Sequence, residues 1–476
     1  MKKQLISLLI AVCLIVGLLP VMAAADAKTA SVVIAGVELT VTEGGAAAYT
    51  KNAEATYYGE AEASTTFAGW KQVSADSTDW NVKFEYPTGG TPTLTFKGAK
   101  VDQYDNENEK WYKFQKDASG CTDKENALIL GKTGSQIDLK VVFTDTTSEI
   151  ENKDFLLNPN EAIGNVEILS ENSGSLKAYP GGGFCVRKGF DLVVNADMDI
   201  NVFLWVQGSI NAPLYSDGNI IINGGNLKLT SMGYEDTKNE EGTALKSKSG
   251  CYGVITSAGN ITINGGKLDL SNRYYSTGGN VGAILCSSET GVMTINGGDI
   301  RIHVERMVAL YNKSNKNNKG IIINGGNISC TSGWFNLGTH SYLTMNGGTL
   351  EMIGEGSYNI DAVEAIDMSA LKYYELWTGM AADFAEQATE LEKKTYIKIV
   401  ALDGPPATTA PTTAPTVAPT AAPTTAPTTA SEAPTTGPAD AQDEGGSPVL
   451  PIVIGVVVLA GVAVAVVVIL KKKKQQ

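Results

Sequence analysis

The chain has 476 residues, 43 % hydrophobic and 18 % charged, with a net charge of −14 and only two histidines. The acidic balance excludes a nucleic-acid binder, which needs a basic face, and His303 and His340 leave little room for zinc sites or histidine acid–base pairs. Glycine is frequent, 51 residues against a usual ~7 %, but without the three-residue period of collagen.

Residues 1–27 read as a secretory signal. Lys2 and Lys3 open it, Leu5 to Leu19 form the apolar run, and Ala23 to Ala25 and Ala27 offer small-residue cleavage sites. Residues 28–90, with Val32-Val-Ile-Ala-Gly-Val-Glu-Leu-Thr-Val41, read as a β-rich N-terminal cap. A separate β-sandwich over 28–150 is the alternative. The segments Thr91–Val101, Ala127–Leu130, Ile137–Phe143, Val166–Leu169 and Asp191–Val194 carry a weak strand rhythm, which predicts degenerate coils.

From 214 to 352 the rhythm sharpens into a repeat. Asn-Gly-Gly recurs at Asn223, Asn264, Asn296, Asn324 and Asn346, at intervals of 41, 32, 28 and 22 residues. Ile220, Ile261, Met293, Ile321 and Leu343 lie three residues before the asparagine, and Ile222, Ile263, Ile295, Ile323 and Met345 one before. Leu227, Leu268, Ile300, Ile328 and Leu350 lie four after, and Leu229, Leu270, Ile302, Cys330 and Met352 six after. These columns keep period two, the mark of strands with one inward face. The shortest interval suits one coil of a parallel β-helix, and the longer ones a coil with an inserted loop. Leu214, Ile255, Leu285, Leu310 and Phe335 supply a third inward column. Stacking then predicts a buried asparagine ladder, a structural turn element satisfied by hydrogen bonds along the stack.

After the repeat, Ala381 to Lys393 is predicted helical, and Tyr396 to Val400 is a closing strand over the last coil. The β-helix is thus expected over 91–402. Residues 403–448 form a Pro/Thr/Ala stalk. Val449 to Leu470 is a 22-residue uncharged run, long enough to cross a bilayer, and the basic tail 471–476 places the C-terminus in the cytoplasm. The expected location is the plasma membrane, single-pass, with the ectodomain outside. Ala433-Pro-Thr-Thr-Gly437 resembles a sortase motif, but Ala-Pro-Thr-Thr recurs along the stalk and reads as a repeat remnant. After removal of Cys13, five scattered cysteines remain, which is no disulfide framework.

On Gly259-Asn-Ile-Thr-Ile-Asn-Gly-Gly-Lys-Leu and its four counterparts, the chain resembles clostridial-type (Gram-positive) surface proteins described as carbohydrate-binding domain-containing. The resemblance covers roughly 80–400. It implies an all-β, right-handed parallel β-helix similar in shape to pectate lyases, and binding of cellulose or acidic sugars. It also implies calcium sites in acidic pairs before each Asn-Gly-Gly strand. Here only Ser216-Asp217-Gly218 keeps such a residue, which argues against a calcium cluster. No cofactor is therefore expected.

Fold does not choose between lyase, hydrolase, binder and spacer. No acidic cluster accompanies Arg187, Arg273, Arg301 or Arg306, and the pairs Asp197/Asp199 and Asp361/Asp367 read as strand-edge charges. No catalytic constellation emerges. Aromatic side chains instead suggest sugar stacking. Tyr215 and Tyr311 follow the third column by one and are expected to face outward, with Tyr252, Tyr274 and Tyr275 in nearby loops and Trp334 beside Phe335. The expectation is a non-catalytic, membrane-tethered glycan binder whose partner is a polysaccharide or cell-surface glycan, preferring neutral to acidic ones. An adhesin or spacer that binds proteins, or a polysaccharide lyase, is the alternative.

Overall fold

A computed structural model describes residues 28–405, except 35–36, 52–69, 103, 106–109, 112–126, 132–135, 158–161, 204–211, 233–252, 273–281, 306, 314–319, 334, 339–341, 356–365 and 393. The chain divides into two units, Met1–Thr408 and Thr409–Gln476, and every described residue lies in the first. The signal, most of the stalk and the apolar C-terminal run lie outside the described residues. Among the described residues no helix is long and apolar enough to cross a membrane.

The described chain is all-β, built of parallel-strand sheets, as in a β-helix or solenoid. Successive repeats pair in three ladders. The first holds the strands before each Asn-Gly-Gly: Ile220–Gly224, Ile261–Ile263, Met293–Ile295, Ile321–Ile323 and Leu343–Met345. The second holds those after it: Asn226–Met232, Lys267–Asn272, Asp299–Val304, Asn327–Ser332 and Thr349–Gly354. The third holds Leu214–Ser216, Ile255–Ser257, Gly282–Cys286 and Val308–Asn312.

Register shows that each long interval is a single coil. Ile220 pairs with Ile261, Ile261 with Met293, Met293 with Ile321 and Ile321 with Leu343. The extra residues are therefore insertions between strands. The weaker segments upstream join the same ladders: Thr93–Phe96, Ile137–Thr144, Ile163–Glu171 and Leu192–Asn195 are parallel members of the first. At the N-terminal end, Ala46–Lys51, Trp70–Val73 and Val82–Glu85 pair antiparallel and meet Thr93–Phe96. Thr29–Ile34 pairs antiparallel with both Val37–Thr42 and Ala127–Gly131.

The inward columns make the core. Ile220, Ile222, Leu229, Ile261, Ile263, Leu268 and Leu270 are completely buried, and each such side chain contributes about 1.5–3 kcal/mol through burial. The second glycine of each corner needs to be glycine. Gly266 has φ +99°, and a Cβ there would stand 2.8 Å from the Gly225 carbonyl oxygen of the coil before.

Two expectations change. The third inward column runs Leu214, Ile255, Ile284, Leu310 and Leu337, since Ile255 pairs with Ile284 and Leu310 with Leu337. Leu285 and Phe335 instead pack with Tyr311 in a separate cluster. The predicted helix Ala381–Lys393 is a 3-10 turn at Ala382–Phe384 followed by a strand, Glu386–Ala388. That strand pairs with Tyr374–Gly379, so edge pairing overrides the helical propensity of an Ala/Glu-rich segment. Tyr396–Ala401 closes the second ladder, antiparallel to Thr349–Gly354.

Candidate functional site

The first ladder presents a repeating outward face, part-exposed from Ile221 to Ile322 and buried at Thr344. Its middle row is Ile221, Thr262, Thr294, Ile322 and Thr344, each paired to the next. The asparagines of the Asn-Gly-Gly corners border one side. Asn264 donates its Nδ2–H to Asn223 Oδ1, Asn296 to Asn264, Asn324 to Asn296 and Asn346 to Asn324, every bond 2.8 Å long. The expected burial of this ladder is corrected, because all five asparagines are exposed. They alternate outward with Ile221 and its equivalents while the flanking isoleucines point in.

A carboxamide has two N–H donors and two acceptor lone pairs. Asn264, Asn296 and Asn324 each spend one of either kind, which leaves a donor and an acceptor per carboxamide on these coils, about 4.8 Å apart.

A second ladder of the same type borders the other side. Asn165 donates its backbone and side-chain N–H to Asp138 Oδ1, Asn219 does so to Asp191 Oδ1, and Asn260 to Asn219 Oδ1. The Asp191 backbone N–H donates to Asn165 Oδ1 and that of Val292 to Asn260 Oδ1. Asn219 and Asn260 precede Ile220 and Ile261 and were visible in the repeat, but their role shows only in the pairing. Between Asn219 and Asn346 the face has no charged side chain: its three columns are Asn219, Asn260, Val292, Gly320 and Tyr342; Ile221 to Thr344; and Asn223 to Asn346.

The tyrosine row lies elsewhere and is not open. Cys185, Tyr215, Thr256, Leu285 and Tyr311 pair in sequence on the outer side of the third ladder. Tyr215 is only 9 % exposed and Tyr311 only 8 %. Val33, Phe155, Cys185 and Ala212 cluster with Tyr215, and Leu285, Val308 and Phe335 with Tyr311. The row faces away from the core, but apolar neighbours cover it. Tyr252, Tyr274, Tyr275 and Trp334 lie outside the described residues.

Asp217, the one acidic residue kept from the calcium pattern, is occupied. Arg187 Nε meets its Oδ2 at 2.9 Å, the Lys188 backbone N–H donates to the same oxygen, and the Tyr215 hydroxyl donates to Oδ1 at 2.7 Å. Burial, then this hydrogen bond, pushes the Tyr215 hydroxyl well above the usual tyrosine range. Arg187 thus has a single acidic partner among the described residues, Asp217. Asp199 pairs with Lys228 at 3.1 Å, and Asp197 accepts from the Asn226 backbone and side chain. Among the described residues no group of three or more His, Cys, Asp or Glu could hold a metal ion. His303 stands exposed within Asp299–Val304, and Cys185, Cys286 and Cys330 are free and buried.

Comparison with protein-family models, with curated proteins and with solved structures gives no match.

Proposed function

We infer that this is a non-catalytic, surface-displayed protein that binds an extended neutral polysaccharide along the first-ladder face. In this view the parallel sheets form a right-handed parallel β-helix with an N-terminal β cap. A Pro/Thr stalk and a single C-terminal membrane span carry it outside a Gram-positive cell. The observation that supports the reading is the uncharged face bordered by outward-facing amides at a fixed step. A regular polymer of hydroxylated rings offers donors and acceptors at regular intervals. A rigid row of amides meets them without ordering side chains first, which keeps the entropic cost of binding small. The absence of charge on this face suits a neutral chain.

The test is co-sedimentation of the full-length protein with insoluble neutral polysaccharides, beside the variant Thr262→Glu/Thr294→Glu and the off-face control Lys177→Ala. The double variant places two carboxylates in the middle row. It is expected to lose at least about tenfold in affinity, a change of ~1.4 kcal/mol, while the control binds as wild type. Absence of binding to every neutral glycan, or equal binding by the double variant, overturns the proposal.

A further inference from the structure

The second ladder has the widest outward face. Its strands are six or seven residues long from Asn226 onward, against three to five in the facing ladders, and expose three rows of side chains. One row alternates in sign along the stack: Lys100, Glu149, Lys177, Asp199, Lys228, Asp269 and Arg301 are successive cross-strand neighbours. After the neutral Ser329 come Glu351 and Lys398. Toward both ends these charges are satisfied within the face. Lys100 meets Glu149 at 3.3 Å and Lys228 meets Asp199 at 3.1 Å. Glu351 receives the Tyr396 hydroxyl at 2.8 Å and lies 3.9 Å from Lys398.

The centre is different. Lys267 and Asp269 on one strand oppose Asp299 and Arg301 on the next, a square of alternating sign. Lys267, Asp269 and Arg301 are exposed and Asp299 half-exposed. None of the four side chains makes an ion pair or hydrogen bond among the described residues.

We propose that this face is a homotypic contact surface whose partner is a second copy of the chain. A twofold axis parallel to the stack, set between the two rows, lays the row Asn226, Lys267, Asp299, Asn327, Thr349 against the row Lys228, Asp269, Arg301, Ser329, Glu351 of the other copy. Lys267 then meets Asp269, and Asp299 meets Arg301, each twice. At the other levels, Asn226 meets Lys228, Asn327 meets Ser329 and Thr349 meets Glu351. No like charges meet over these five strands, and the four charges left unpaired within one chain all gain a partner. The two stacks run in the same direction, as two chains carried on one membrane would.

The five strands from Asn226–Met232 to Thr349–Gly354 span about 19 Å at ~4.8 Å each, and three outward rows cover less than ~20 Å. At the level before them Asp199 meets Asp197 of the other copy, each already held within its own chain by Lys228 and Asn226. The matched area is on the order of 400 Å² per copy, which puts the contact in the weak, transient class. Ion pairs between such exposed groups are screened within ~10 Å at 0.1 M salt, so the association is salt-dependent.

The test is sedimentation velocity of the full-length protein in mild detergent at 50 and 500 mM NaCl. Two charge variants are compared with wild type: Lys267→Glu/Arg301→Glu, which makes the square negative, and Asp269→Lys/Asp299→Lys, which makes it positive. Circular dichroism confirms that each keeps its β content. Wild type is expected to dimerise at 50 mM salt and to lose at least tenfold in association at 500 mM. Each variant alone is expected to stay monomeric, and an equimolar mixture of the two to regain a dimer. A monomeric wild type at 50 mM, variants that dimerise alone, or a mixture that stays monomeric overturns the proposal. These variants leave the first-ladder face untouched, so polysaccharide binding is read separately.

Discussion

The exposed amide ladder has a direction, and its direction can be tested. Every link runs from Nδ2 of one coil to Oδ1 of the coil before. Asn223 therefore only accepts, whereas Asn296 both accepts from Asn324 and donates to Asn264. Asn296→Asp keeps the acceptance and deletes the donation. The lost neutral hydrogen bond is worth about 0.5–1.5 kcal/mol. A carboxylate oxygen also replaces Nδ2 at the 2.8 Å contact with Asn264 Oδ1, acceptor against acceptor, which puts the expected loss at the upper end of that range, about 1–1.5 kcal/mol for exposed groups that water can reach. Asn223→Asp keeps the one bond its side chain makes and strengthens it, because charge-assisted bonds are roughly twice as strong as neutral ones. It should lie within about 0.5 kcal/mol of wild type, the usual range for a surface change. Urea unfolding of the full-length protein at pH 7 measures the gap. Below a pH of about 3.9 the new carboxyl regains an O–H donor, so the Asn296→Asp penalty should shrink as the pH falls. Equal destabilisation by the two substitutions, or a larger effect at Asn223, refutes a one-way ladder.

Three further outcomes follow from the same structure. Gly266→Ala should destabilise by about 1–3 kcal/mol, because its φ is +99° and its Cβ would stand 2.8 Å from the Gly225 carbonyl oxygen. Gly265→Ala, with 3.5 Å to the nearest atom, should be near neutral, and the two are compared by thermal unfolding. Tyr215→Ala and Tyr311→Ala should each lower stability by about 3–5 kcal/mol, since both rings are buried; wild-type stability in either would show that these rings are open. The Tyr215 and Tyr396 hydroxyls are pushed up by burial and then by hydrogen bonds to Asp217 and Glu351. Because folding raises these values, the associated stability is whole below pH ~10, the unfolded value, and is lost above it as the unfolded chain ionises. Burial also raises Tyr49 and Tyr311, so ultraviolet titration should show at least two tyrosines ionising late, released on unfolding; full ionisation of the native protein near pH 10 would contradict this.

The stacking was legible because a turn motif fixed the register. Asn-Gly-Gly anchors every residue counted from it, so Ile220, Ile222, Leu227 and Leu229 fell in the right columns. The third ladder has no such anchor. Its strands are short and follow insertions of varying length, so Leu285 and Phe335 were aligned in place of Ile284 and Leu337. The tyrosine row was legible as a row, since Tyr215 and Tyr311 follow inward leucines by one. Its burial was not, because the covering residues Val33, Phe155 and Phe335 come from other parts of the chain. The charge square was hidden for a related reason. Asp269 and Arg301 are 32 residues apart in sequence, and only cross-strand register makes them neighbours.

The Asn223–Asn346 ladder accounts for the one corner at which the coils keep a constant length. A carboxamide ladder requires the same residue at the same corner of every coil, so an insertion there costs two side-chain hydrogen bonds. The Asn223–Asn346 corner, between the first and second ladders, keeps one length throughout: Asn223 stands three residues before Asn226, and Asn346 three before Thr349. The corner between the third and first ladders is held by Asp138, Asn165, Asp191, Asn219 and Asn260. That chain of bonds ends at Val292, and connection lengths at this corner differ both within it, four residues from Ser216 to Ile220 against seven from Cys286 to Met293, and beyond it. The corner between the second and third ladders has no amide ladder among the described residues. There the chain runs 11 residues from Phe203 to Leu214, 23 from Met232 to Ile255 and 10 from Asn272 to Gly282. An amide link does not by itself forbid a longer connection: Val186 to Leu192 is two residues longer than Ser216 to Ile220, yet Asn219 bonds Asp191. The first-ladder face keeps its register to Leu343–Met345 because its Asn223–Asn346 border is tied in every coil.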